Sequence, residues 1–140
     1  MATRHGKDLV FKCDNAAAAL QQITGVSDVQ GLPGSYATDD VTAAGDDGTK
    51  TVVGLPDNTF TVTGPFDDTA TTGSNTVFSG LPGLAATQSF EYYPAGSTAG
   101  YPKYSGEARC TEYTVDASVK SAIRYKATFH VEGKVTTGTA

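Results

Sequence analysis

Residues 50–68 decide the fold class, and they read Lys-Thr-Val-Val-Gly-Leu-Pro-Asp-Asn-Thr-Phe-Thr-Val-Thr-Gly-Pro-Phe-Asp-Asp. Phe60, Val62 and Phe66 fall on one face of an extended chain, and the intervening threonines fall on the other. This alternation is typical of a half-buried β-strand. Ahead of the strand, Pro56 presets its φ angle for a turn. The segment therefore predicts a strand with one face in the core, and it contains no catalytic group.

The composition of the whole chain favours many short strands. A length of 140 residues suits a single domain, residues 1–140, with one hydrophobic core. The 16 glycines and the absence of tryptophan fit strands joined by tight turns better than a helical bundle. The formal net charge of −5 argues against a nucleic-acid clamp, which would carry a basic excess. We predict a mainly β, antiparallel sandwich or barrel-like domain.

The two cysteines, Cys13 and Cys110, are too few for a secreted disulfide framework. Neither belongs to a Cys-x-x-Cys pair, so we predict free thiols in a reducing compartment. No apolar run approaches the length of a membrane span, and residues 1–7 lack the apolar centre of a signal peptide. We expect a protein that matures in a cytoplasm and does not associate with membranes.

The order of elements follows from alternation and turn signals along the chain. The best strand covers 122–133, where Ile123, Tyr125, Ala127, Phe129 and Val131 share the predicted core face. Residues 16–23 are ambiguous, because the alanines favour a helix and the short span before Thr24-Gly25 fits a strand, which we favour. The remaining predictions are strands at 8–13, 26–30, 88–93 and 104–115, one short helix at 76–81, a long loop at 35–51, an N-terminal arm at 1–7 and a C-terminal arm at 134–140.

The predicted loop at 35–51 is rich in Asp and Gly and has little periodicity. Loops of this length inside a compact domain are uncommon and are usually functional or mobile. Its carboxylates repel one another and its glycines raise the entropy cost of ordering it. We expect the loop to be mobile in an isolated subunit and to order against a neighbour.

The sequence offers no catalytic, cofactor or metal site. Neither His5 nor His130 has an Asp or Ser nearby at a spacing that indicates a triad. Paired zinc ligands at short spacing are missing, and the Asp46-Asp47-Gly48 stretch lacks the ligand spacing and closing Glu of a calcium loop. No phosphate-binding glycine loop is present. We therefore predict that the protein is not an enzyme.

An ordered set of short motifs carries a resemblance to a known family. The set comprises Asp39-Asp40-Val41-Thr42, Gly45-Asp46, Gly54-Leu55, the strand at 60–64, Phe66-Asp67-Asp68, Tyr93-Pro94-Ala95-Gly96, and the strands at 106–113 and 123–133 with Val135-Thr136-Thr137-Gly138-Thr139 after them. In this order and over nearly the whole chain, the sequence resembles the major tail tube proteins of long-tailed, non-contractile bacteriophages. The alanine run at 16–19 departs from the family, which has a strand there.

The resemblance implies a subunit that assembles six to a ring, with the rings stacked into a hollow tube through which the genome leaves the virion. It implies no cofactor, further tail proteins as partners, and a location in the virion tail after assembly in the host bacterial cytoplasm. DNA would pass without specific binding, since an acidic lumen repels phosphates. By analogy with the family, self-association would use both terminal arms and a loop that contains Tyr36, Asp39, Asp40, Thr42, Asp46, Asp47, Lys50 and Val53.

Two alternatives from other classes stay open at the level of sequence. One is a capsid decoration protein, which would be a trimer or monomer at any concentration. The other is a small carbohydrate-binding β-domain, which usually exposes aromatic platforms. Tyr92, Tyr93, Tyr101 and Tyr104 could form such a platform, or they could pack in a core or an interface.

Overall fold

The structure is a computed structural model that describes residues 4–140. Within that range the chain forms nine strands, a 3₁₀ turn and one short helix. In chain order they are the 3₁₀ turn Gly6–Asp8, β1 (Val10–Asp14), β2 (Leu20–Gln22), β3 (Asp28–Gln30), β4 (Tyr36–Asp40), β5 (Thr51–Pro56), β6 (Thr59–Pro65), α1 (Ser74–Phe78), β7 (Gln88–Tyr93), β8 (Pro102–Ser118) and β9 (Ser121–Thr139). The prediction of a mainly β chain with one short helix is confirmed.

Seven of the strands form one antiparallel sheet in the order β2-β1-β7-β8-β9-β6-β3, and β4 and β5 form a separate two-stranded sheet. Strands β1 and β6 are four positions apart, which is about 19 Å in a flat sheet. Nevertheless the rings of Phe11 and Phe60, one from each strand, have centroids 5.9 Å apart. The sheet therefore folds over its own inner face. Its edge strands do not pair with each other in the described range, so the barrel is not closed.

The core inside this curved sheet is a cluster of aromatic rings. Phe60 and Phe129 stack with a centroid distance of 5.0 Å and an interplanar angle of 7°. Phe78 of α1 packs edge-on against Phe129 at 5.6 Å. The short helix therefore adds Val77 and Phe78 to the same core. Large apolar side chains contributed by distant strands meet here, which is the burial that drives folding.

Strand β6 shows why the sequence period was readable. Phe60 and Val62 are buried, and the threonines between them are more exposed. Gly64 continues the buried face because a Cβ there would lie 2.1 Å from the Gly25 carbonyl oxygen. Phe66, predicted on the same face, is half-buried one residue beyond the end of β6, and its N–H donates to the Ile123 carbonyl at 2.8 Å.

The strands β8 and β9 form one long hairpin that extends beyond the sheet. Tyr125, Ala127, Phe129 and Val131 are buried as predicted. Ile123 was predicted on the core face, but it is 41% exposed because the first residues of β9 lie beyond the edge of the core. The structure also places 134–139, predicted as a C-terminal arm, in β9, where Thr139, Gly138 and Thr137 pair with the start of β8.

The two ambiguous segments resolve into short elements. The Asn15 side chain accepts hydrogen bonds from the N–H groups of Ala17 and Ala19, so the alanine run is a turn. The strand favoured for 16–23 is present as the three residues of β2. The helix predicted at 76–81 begins earlier, at Ser74, because Gly73 caps it, and ends at Phe78.

Candidate assembly surfaces

The β4–β5 hairpin is built from the segment where a long loop was predicted. Within the described residues β4 pairs with β5 and with no strand of the main sheet, in the register Thr38↔Val53, Asp39↔Val52 and Asp40↔Thr51. The loop prediction was therefore wrong for the residues of β4. The reason is that both faces of this ribbon are exposed. Such a strand has no core face and no hydrophobic period to read.

The turn of the hairpin is held by its own polar groups. The Asp40 carboxylate accepts from the Thr42 N–H at 2.8 Å, and the Asp46 carboxylate accepts from the Ala43 N–H at 2.7 Å. Hydrogen bonds with the Thr42 side chain and N–H hold the pKa of Asp40 below its usual range, and those with the Ala43 N–H and Lys50 do the same for Asp46. The Lys50 ammonium lies 3.0 Å from Asp46. Two of the acidic groups are therefore bonded within the turn, which favours their ionised form.

Several apolar side chains of this hairpin are exposed to solvent. Val53 is 69% exposed and Leu55 is 85% exposed, and both lie in the part of β5 where its register against β4 shifts. Tyr36, Val41 and Val52 are also exposed on the same hairpin. A two-stranded ribbon with no core of its own is marginally stable in water. Clustered exposed apolar groups of this kind mark interaction surfaces.

The base of the hairpin is fixed to the sheet. The Asn58 side chain accepts from the Ser35 N–H at 2.7 Å, and the Asn58 carbonyl accepts from the Val131 N–H at 2.9 Å. The His130 ring lies 2.8 Å from the Asp57 carboxylate, and this hydrogen bond raises the pKa of His130. These hydrogen bonds therefore tie the base of the hairpin to the main sheet.

The structure brings together all the residues predicted for the interface loop. In the hairpin, β4 contains Tyr36, Asp39 and Asp40, the turn contains Thr42, Asp46, Asp47 and Lys50, and β5 contains Val53. Leu55 was missed, although it is the most exposed of the large apolar side chains on the hairpin. Its signal in the sequence was a leucine in a segment with no alternation.

A second projecting surface was not predicted from the sequence. The tip of the β8–β9 hairpin carries Val115, Val119 and Ile123, which are 44%, 103% and 41% exposed. The signal in the sequence was three apolar side chains around one turn. It was missed because the strand prediction for 122–133 assigned Ile123 to the core. The subunit therefore presents two apolar hairpins to its surroundings.

Both cysteine thiols are shifted away from ionisation by burial. Burial raises the pKa of the Cys110 thiol to about 11 and raises that of Cys13 still further, so neither is a ready nucleophile. Both cysteines are free and buried. Within residues 4–140 no group of three or more His, Cys, Asp or Glu side chains could hold a metal ion. No helix there has the length and apolar character needed to cross a membrane.

The fold is that of tail tubes and related injection tubes. The chain superposes on a protein from the C6-symmetric tail of an empty gene transfer agent particle with a TM-score of 0.72 and 17% identity, covering 97% of this chain and 99% of that one. It also superposes on the SPP1 tail tube, with a TM-score of 0.71 and 10% identity, covering 99% and 80%. The chain also superposes on a protein from the tube-terminating cap of the anti-feeding prophage. The TM-score is 0.71 and the identity 11%, covering 100% of this chain and 93% of that one. The sequence matches no family model and no curated protein.

Proposed function

We propose that the protein is a structural tail tube subunit that self-associates into hexameric rings, which stack into the hollow tube of a virion tail. The observation that carries the proposal is the β4–β5 hairpin, which exposes Val53 and Leu55 on a ribbon separate from the core. A monomer gains nothing from that exposure, whereas a neighbouring subunit would bury it. The full-length likeness to tail and injection tubes supports the same role.

In this proposal the role is structural and the protein has no enzymatic activity. The partners are further copies of the chain and other tail proteins, and assembly takes place in the host bacterial cytoplasm. The genome passes through the lumen without specific binding. The net charge of −5 supports this, because an acidic lining repels phosphates where a basic one would retain them.

Negative-stain electron microscopy of the concentrated, purified protein tests the proposal. We expect hexameric rings or hollow filaments without added nucleic acid. Size exclusion with light scattering should show an oligomer that grows with concentration. A strict monomer or trimer at all concentrations, in low and moderate salt, would contradict the proposal and favour a decoration protein or a binding domain.

A shortened hairpin tests which element bridges the subunits. Removing several residues of the turn around 43–48 should leave a folded subunit, because the turn makes its hydrogen bonds locally and lies outside the core. That subunit should not build tubes. In the intact protein, amide exchange at the turn should be fast in the monomer and slow in the assembled form. Normal tubes from the shortened protein would show that another surface, such as the β8–β9 tip, forms the contact.

A further inference from the structure

A groove of about 860 Å³ lies on the subunit surface between three pieces of chain. The 3₁₀ turn Gly6–Asp8 and the residues beside it form one wall, β3 forms another, and the end of β7 with the start of β8 forms the floor. Strand β3 is the last strand of the main sheet and pairs with β6 on one side within the described residues. Its other backbone edge is therefore free to meet an incoming chain.

The groove combines an apolar interior with a basic rim. Leu9, Val29, Tyr92 and Pro94 contribute the apolar lining. The cations of the rim are Arg4 and Lys7, with the carboxylate of Asp28 also at the groove. This local basic excess stands out in a chain whose net charge is −5.

The basic rim is held in place by local contacts. The Arg4 guanidinium lies over the Tyr101 ring, 3.9 Å from its centroid, which fixes the start of the described chain to the loop before β8. The Lys7 N–H donates to His5 Nδ1 at 3.0 Å, and the Leu9 N–H donates to the Gly6 carbonyl at 3.2 Å. Within residues 4–140, Lys7 forms no ion pair with a carboxylate. Its ammonium group is therefore available to pair with a carboxylate of another chain.

We propose that this groove receives the β4–β5 hairpin of a second copy of the chain, an inference that rests on the proposed self-assembly. The hairpin has the matching chemistry, with the exposed apolar side chains of Val53 and Leu55 on β5 and carboxylates at its end. Asp39 and Asp47 accept none of the hydrogen bonds that hold the turn, so their charges are available to the rim. Apolar contact supplies affinity, and charge complementarity sets register and partner choice.

The geometry of this contact explains how assembly continues. The hairpin and the groove are different surfaces of the same subunit, so their contact is heterologous. Each subunit that inserts its hairpin into a neighbour still presents an empty groove. Such contacts close into rings or extend as stacks, whereas a self-complementary contact would stop at a dimer.

Charge reversal on both sides tests the pairing. Lys7→Glu alone and Asp47→Lys alone should each raise the concentration needed for assembly by about tenfold, because like charges then face each other. The double variant should assemble close to wild type. Lys120→Glu at the β8–β9 tip is the matched control, and Asp47→Lys should not rescue it. If Asp47→Lys restores assembly to both Lys7→Glu and Lys120→Glu, or to neither, the groove is not the acceptor.

Cross-linking locates the contact directly. Differently tagged Leu55→Cys and Ala95→Cys subunits, mixed under oxidising conditions, should form a disulfide-linked pair, because Ala95 lines the groove. Cys13 and Cys110 are buried and should not compete. Val119→Cys, fully exposed at the other hairpin, is the control and should not link to Leu55→Cys. Equal linkage to Ala95→Cys and Val119→Cys would contradict the inference.

These outcomes separate the two proposals. If wild-type protein never assembles, the proposed function fails regardless of the groove. If wild-type tubes form, and hairpin variants block them while Lys7→Glu and the Ala95→Cys linkage have no effect, the tube function stands and the groove is excluded as the acceptor.

Discussion

The folded main sheet and the β4–β5 hairpin have opposite relations to solvent. In the sheet, Phe60 and Phe129 are at most 1% exposed and stack on each other. In the hairpin, Val53 and Leu55 are mostly exposed and meet no core. The same residue types are therefore buried in the sheet, where they stabilise the monomer, and exposed in the hairpin, where we propose that another chain covers them. Changes in the first region should alter folding, and changes in the second should alter assembly.

The largest effect is expected from the centre of the sheet. Phe129→Ala should lower the free energy of unfolding by about 3–5 kcal/mol, the usual cost of removing a buried aromatic side chain and leaving a cavity. Arg124→Ala, on the exposed part of the same strand, should change it by less than about 0.5 kcal/mol. Chemical denaturation at concentrations where the protein is monomeric compares the two. The opposite ranking would show that the register of β9 is wrong.

A smaller effect separates two strand glycines. Gly64→Ala in β6 should destabilise the monomer by about 1–3 kcal/mol, because its Cβ would lie 2.1 Å from the Gly25 carbonyl oxygen and the backbone must shift. Gly54→Ala in β5 is the matched control, with the Ala37 carbonyl oxygen 3.4 Å from its Cβ. It should be tolerated. Thermal unfolding of both variants measures the difference, and equal losses would mean that the hairpin is packed as tightly as the sheet.

The junction between the two regions should respond to pH. The hydrogen bond to Asp57 raises the pKa of His130 in the folded state. The protonated form is therefore favoured by folding, so its contribution is complete below the unfolded pKa of about 6.5 and is lost as pH rises through the folded value. Unfolding of wild type and His130→Gln between about pH 5.5 and 8.5 should converge as pH rises. A gap that widens toward high pH would contradict this pairing.

The smallest effect on the monomer is expected at the exposed end of β5. Leu55→Ser should change the free energy of unfolding by less than about 0.5 kcal/mol, since the side chain is 85% exposed. It should nevertheless suppress assembly in light scattering. Leu81→Ser, at a leucine only 1% exposed, is the contrasting variant and should unfold the subunit. If Leu55→Ser assembles normally, the hairpin is not an interface.

How far the sequence could be read depended on whether a strand has a core face. Strand β7 was predicted with its bounds, and the alternation of β6 and the middle of β9 gave the correct buried residues. Strand β4 was read as loop because neither of its faces is buried. The residues predicted for the interface nonetheless fall on one hairpin, since the length and composition of the segment marked it as unusual.

The sequence by itself determined the mainly β class, the aromatic core face and the absence of paired metal-ligand motifs, because these depend on residue type and on spacing of two. The tertiary structure alone decided where strands end relative to the core and which distant pieces meet. Ile123 is exposed only because β9 runs past the sheet, and the groove exists only because Lys7, Val29 and Tyr92 come together from separate strands and turns. The periodicity of a single strand does not predict such long-range contacts, since they depend on how the sheet bends and on which strand edges stay unpaired.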